Sequence, residues 1–404
     1  MEIITGGVTA AKGFKAAAAA AEIKYKGRTD MAMVYSEVPC VAAGTFTTNV
    51  VKAAPVKWDQ NVVFNHPSAQ AVICNSGNAN TCAPNGVEIA EKTCEITGSA
   101  LGLAAEDIIV CSTGVIGQEL SIKPFEYGVP KLAEKVSCDG GQEAAEAIMT
   151  TDTIPKSIAV AFEIDGKICH IGGIAKGSGM IDPNMATMLS FITTDAAVSP
   201  EMLDKALKAD VKTSYNQICV DGDMSTNDTV AVLANGMAGN DEITEAGTEF
   251  DVFCEALAMV TRYLAKKLAR DGEGATKLIE CQVKGAPDHE TAARISKTVI
   301  SSNLLKAAIF GADANWGRVL CAIGYADGEF STENIDVEMA SAKGRVLVCQ
   351  GSRHKEYSEE EASKILGEEE IQIYVDMHQG NESATAWGCD LTYDYVKING
   401  DYRS

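Results

Sequence analysis

Apolar residues recur at two spacings along this chain of 404 residues. In 253–269, Phe253, Leu257, Val260, Leu264 and Leu268 return every three or four positions, which predicts a long helix with one face turned to a core. Asp271-Gly-Glu-Gly274 ends that pattern, since glycines in a polar stretch favour a turn. Further helices are predicted over 86–100 and 291–307. Short apolar runs at 71–74 and 108–111 read as buried strands; the first leads into Asn75-Ser-Gly-Asn-Ala-Asn80 and the second ends at Ser112-Thr113-Gly114. Segments 371–377 and 385–398, rich in β-branched and aromatic residues, predict two antiparallel strands. Helical and strand-like stretches are mixed throughout without a fixed-period repeat, as expected of an α+β or α/β layered protein.

The middle of the chain differs in character. Residues 172–186 are laden with glycine and turn formers and lead directly into 187–193, which reads as a strand. A flexible approach to a strand that begins with Thr suits an internal cleavage site; on pattern alone, an ordinary long loop is the better reading.

Composition narrows the class. Hydrophobic residues at 46% and charged residues at 22% are globular averages, and the length favours two or three lobes. A formal net charge of −22 repels phosphate backbones and anionic lipid, so neither nucleic acid nor a membrane is an expected partner. The thirteen cysteines form no CxxC pair and read as small core residues kept reduced in a cytosol. The alanine run at 16–21 lies between Lys15 and Glu22 and is too short for a signal peptide, and no stretch approaches the ~18 apolar residues of a membrane helix. A cytoplasmic location is expected.

Conventional catalytic machinery is scarce. The five histidines (His66, His170, His289, His354 and His378) stand in no hydrolase or metal motif. A threonine at a chain terminus needs none of them, because its own α-amino group, with an ordinary pKa near ~8, serves as base for its hydroxyl. Two apparent motifs fail. Gly173 to Ser178 lacks the order of a phosphate loop, and the acidic run from Asp221 has Val232 where a calcium loop needs its glutamate.

Lys176-Gly-Ser-Gly-Met-Ile-Asp-Pro-Asn-Met-Ala-Thr-Met-Leu189 resembles the self-processing segment of the ornithine acetyltransferase family, the glutamate N-acetyltransferases of arginine synthesis. Asn75 to Asn80, Ser112-Thr-Gly-Val-Ile-Gly117, Thr150-Thr-Asp-Thr-Ile-Pro-Lys156, Val220 to Asp228, Arg270-Asp-Gly-Glu-Gly-Ala-Thr276, Asn315-Trp-Gly-Arg318 and Asn399-Gly-Asp-Tyr-Arg-Ser404 resemble that family in its order. The resemblance spans essentially the whole chain.

The resemblance implies a two-lobed α+β sandwich of sheets and helices, cut between Ala186 and Thr187 into an α chain (1–186) and a β chain (187–404) that assemble as a heterotetramer. It implies Thr187 as nucleophile and the Thr113 hydroxyl with the Gly114 N–H as oxyanion hole; on pattern alone Thr113-Gly114 is a turn. Thr153, Lys176, Glu273, Asn399 and Ser404 match the substrate-contacting positions, with Ser404 standing where the family commonly has Thr. The implied reaction is ping-pong: Thr187 takes acetyl from N2-acetylornithine and gives it to glutamate, with no metal or organic cofactor. Acetyl-CoA is a possible second donor, on which the sequence is silent. The rivals are a related self-cleaving aminopeptidase or amidase and an uncleaved binding module for acidic amino acids.

Overall fold

The computed structural model describes residues 1–182 and 188–401. Among them, two mixed sheets carry the architecture, with helices packed on their faces. The larger sheet runs, from one edge, through Glu2–Ile4, Lys156–Ile164, Lys167–Lys176, Leu189–Thr194, Thr229–Ala234, Met31–Phe46, Ser68–Asn78 and Ile108–Val115. Phe14–Ala19 pairs with the long strand Met31–Phe46 in addition. The smaller sheet has Leu278–Ala286 near its middle, parallel to Glu370–Asp376 on one side and antiparallel to Glu382–Cys389 on the other. The expected α+β sandwich is what the chain forms.

The helix Thr248–Arg270 buries its predicted stripe completely: Phe253, Leu257, Val260, Leu264 and Leu268 have no solvent exposure and face the strands Lys156–Ile164 and Lys167–Lys176. It ends where expected, at Arg270 and Asp271, and so delivers Glu273 on a short loop. Gly86–Leu101 is the second predicted helix, closed by Gly102 at φ 72°.

Four expectations about elements change. The helix expected over 291–307 is two, His289–Ser301 and Asn303–Phe310, because Ser302 adopts an extended backbone and its hydroxyl caps the second helix through the N–H of Leu305. The strand expected over 385–398 stops at Cys389, and Tyr393–Asp401 is a helix begun by Thr392, whose hydroxyl oxygen accepts the N–H of Tyr395. The strands at 370–376 and 382–389 do not pair with each other; Leu278–Ala286 lies between them. Residues 172–176 of the glycine-laden stretch belong to a strand paired on both sides, since the neighbouring strands satisfy every backbone group a loop would leave to water.

Most cysteines are buried, but Cys82, Cys138 and Cys321 are exposed and Cys254 is half-buried, so only part of the set serves the core; all are free thiols. Among the described residues, no helix is long and apolar enough to cross a membrane.

Candidate active site

Ile108–Val115 carries Thr113 and Gly114 at its end, beside the parallel strand Ser68–Asn78, whose register is irregular at Gly77 and Asn78. Gly114 adopts φ 133°, and a Cβ there would lie 2.3 Å from the Gly77 carbonyl carbon, so only glycine lets the two chains meet this closely. The asparagine motif is the clamp that shapes this corner. The Ser112 hydroxyl donates to Asn75 Oδ1 at 2.7 Å, Asn75 Nδ2 donates to the Asn78 carbonyl at 3.0 Å, and Asn227 Nδ2 donates to the carbonyls of Ala79 and Ser112 at 2.6 and 2.8 Å.

Lys176 ends the strand Lys167–Lys176 and is buried. Its ammonium donates to the hydroxyl oxygens of Thr113 at 3.1 Å and Thr150 at 2.9 Å. Because Thr113 accepts from a cation, its own O–H is polarised and available to donate into the cleft. Behind Lys176, Asp152 is almost wholly buried; burial opposes its charge, but Lys176, Lys156 and the Gly177 N–H outweigh it and bring its pKa down to about 2.

Across the cleft, the Glu273 N–H donates to the Ser178 carbonyl at 2.8 Å, and its carboxylate accepts from Asn399 Nδ2 at 2.7 Å. A Cβ on Gly179 would lie 2.5 Å from the Glu273 carboxylate carbon, so the glycine run is what admits this acid. A cavity of about 160 Å³ separates the two sides; Thr113, Gly114, Thr150, Thr151, Lys176, Glu273 and Asn399 are among its walls.

A pocket of about 30 Å³ adjoins it, lined by Thr113, Lys176, Met188, Asn227, Asp228 and others. Asp228 was not singled out by sequence reasoning. Its carboxyl is fully buried, one oxygen has no hydrogen-bond partner, and burial pushes its pKa well up against the opposing effects of Ser225, Lys176 and Thr47. The backbone places it beside Met188, whose carbonyl accepts the N–H of Thr229 at 2.9 Å. Among the described residues, no histidine lines either cavity. A larger hollow of about 690 Å³ between two surface helices has, among the described residues, Glu95 and Glu134 as its charged walls, both of one sign.

The predicted residues thus divide. Thr113, Gly114, Lys176, Glu273 and Asn399 converge on one cavity. Thr153 directs its backbone N–H, at 3.0 Å, and its hydroxyl to Asp271, while Thr150 and Thr151 face the cavity. Ala186, Thr187 and Ser404 lie outside the described residues.

Lys176 and Glu273, of opposite charge, thus line one small cavity together with the hydroxyl and the glycine at the strand end. A model of the ArgJ family matches residues 15–404, and the chain belongs to that family, the acyltransferases of arginine biosynthesis. The arginine biosynthesis bifunctional protein ArgJ of Caldanaerobacter subterraneus subsp. tengcongensis is 49% identical over 405 residues, covering 100% of both chains. A crystal structure of the corresponding protein from Bacillus halodurans is 47% identical and covers 54% of this chain and 100% of that one, with a TM-score of 0.51. The ornithine acetyltransferase of Mycobacterium tuberculosis, solved in complex with ornithine, is 42% identical over 46% of this chain and 99% of that one, with a TM-score of 0.43.

Proposed function

We propose that the chain is an ornithine acetyltransferase that cuts itself before Thr187 and uses the freed Thr187 to carry acetyl from N2-acetylornithine to glutamate. The observation that carries this is the pairing of Lys176 with Glu273 across one cavity that also holds Thr113 and Gly114. Lys176 meets the donor's carboxylate and Glu273, steadied by Asn399, its side-chain ammonium. Thr153 acts by holding Asp271, and Ser404 is a substrate-contacting position as the family resemblance implies.

In the first half-reaction the Thr187 hydroxyl oxygen bonds to the acetyl carbon while its proton passes to the Thr187 amine. The oxyanion of the tetrahedral intermediate is held by the Thr113 O–H and the Gly114 N–H. Collapse breaks the bond to the donor nitrogen, which leaves as ornithine with the proton from the amine. Glutamate's amine then attacks the acetyl ester by the same route in reverse, and N-acetylglutamate leaves with Thr187 restored. Water in place of glutamate makes the same site an amidase, the rival reading; the full-length relatives carry names of arginine biosynthesis, not of amide hydrolysis.

Two observations support cleavage. The Bacillus halodurans chain is matched over 100% of its length and covers 54% of this one, the share that residues 187–404 make up. The sequence ahead of Thr187, residues 172–186, is rich in glycine and turn formers, the composition expected of a cleavage segment. On a denaturing gel the protein is expected to give two bands, the smaller piece's partner beginning Thr-Met-Leu-Ser-Phe; Thr187→Ala is expected to stay whole, and its cutting at the same bond would refute self-processing by this residue.

The activity test incubates the protein with N2-acetylornithine, with and without glutamate. Formation of N-acetylglutamate supports transfer, whereas acetate released at equal rates in both arms would establish the amidase instead. Repeating the assay with acetyl-CoA shows whether this second donor is used.

A further inference from the structure

A buried ion triplet stands behind the cleft, and its lysine has no part in the roles above. Lys156 opens the strand Lys156–Ile164 with its side chain wholly buried. Its ammonium lies 2.7 Å from Asp152 Oδ1 and 2.6 Å from Asp271 Oδ2, and neither carboxylate is more than marginally exposed. Each carboxylate grips backbone as well. Asp152 accepts the N–H of Gly177 at 2.6 Å and of Thr150 at 3.0 Å, which fixes the residue after Lys176 and the threonine that Lys176 touches. Asp271 stands two residues before Glu273 and accepts the Thr153 N–H. The Lys156 ammonium therefore sits at the junction of the segments that carry the two charged walls of the cavity.

We propose that Lys156 is a positioning residue that sets the separation between Lys176 and Glu273, and through it the preference for a donor with both a carboxylate and a side-chain ammonium. The physical reason is that a buried charge deprived of its partner is strongly unfavourable, so the two carboxylates are held to one point and the loops they anchor cannot drift apart. A bidentate grip of this kind fixes geometry more than it adds stability, since a buried ion pair is a poor source of net stabilisation. The inference rests on the proposed reading of Glu273 as the partner of the donor's ammonium.

The test compares N2-acetylornithine with N2-acetylnorvaline, which has the same carbon chain without the ammonium. The parent enzyme is expected to favour acetylornithine in kcat/KM by roughly 10- to 100-fold, the worth of one hydrogen bond to a charged group. In Lys156→Met/Asp271→Asn, which leaves no uncompensated lysine, the preference is expected to fall to about threefold or less, while turnover of acetylnorvaline changes little. Asp271→Asn alone keeps an oxygen to accept the Thr153 N–H, so it safeguards the experiment against a double variant that does not fold; its preference is expected to fall in the same direction. A purely structural role would slow both donors alike. Folded, cleaved variants that keep the parental preference would overturn the inference alone; a parent that uses both donors equally would sink the Glu273 assignment and the inference with it.

Discussion

Thr113 accepts from Lys176 through its oxygen, which turns a hydroxyl at a strand end into a directed donor. Thr113→Ala is accordingly expected to slow acetyl transfer by roughly 10²- to 10³-fold, the cost of one oxyanion donor, with cleavage still complete. Thr113→Ser, which keeps the hydroxyl, is expected to stay far closer to the parent; equal losses in steady-state turnover for both variants would make Thr113 a packing residue. Five residues of the cavity wall were singled out in the sequence through the family resemblance: Thr113 and Gly114, Lys176, Glu273 and Asn399. Asp228 and the Lys156 triplet were not. A carboxylate's burial depends on what other segments cover it, and nothing local marks Asp152 or Asp271 as different from a surface acid. The available signal was that both lie inside the quoted motifs, where the acids between the substrate-contacting positions had no role.

Helix Ala54–Asn65 shows the same logic at the scale of an element. Its Asp59 is fully buried and reaches across to the strand Ile108–Val115, where Oδ1 accepts the Val110 N–H at 2.8 Å. Burial pushes this carboxyl well above its ordinary range, with the Val110 and Cys111 contacts opposing. A folded-state pKa above the unfolded value means that the fold keeps a proton which the unfolded chain releases. The associated stability is complete below about pH 3.8 and is lost as pH rises toward the folded pKa. Asp59→Asn, neutral at every pH and still able to accept from Val110, is thus expected to melt higher relative to the parent at pH 7 than at pH 4. A difference in melting temperature that does not change with pH would show that Asp59 is ionised in the fold. Amphipathic stripes made the long helices legible, as in Thr248–Arg270. The break at Ser302 and the helix Tyr393–Asp401 were not, because a single cap and the contact of Thr392 with the Gly274 carbonyl decide them against local propensity.

Across the whole molecule, the proposed cut falls between strands that lie side by side. Leu189–Thr194 and Thr229–Ala234, which follow it, are hydrogen-bonded between Lys167–Lys176 and Met31–Phe46, which precede it. The two pieces therefore share one sheet and one core, and they are expected to elute together from a native sizing column and to separate only in denaturant; separation without denaturant would contradict the interleaved sheet. Sheet order of this kind was beyond the sequence, since strand partners distant along the chain leave no local trace. The central claim, that Thr187 carries the acetyl group, is tested most directly by mass spectrometry of the cleaved enzyme quenched after mixing with N2-acetylornithine and no glutamate. One acetyl group is expected on Thr187 of the C-terminal piece, absent from the uncut chain and discharged as N-acetylglutamate when glutamate is added. If Thr187 stays unmodified while N-acetylglutamate still forms, acetyl passes directly between bound substrates and the covalent account is wrong.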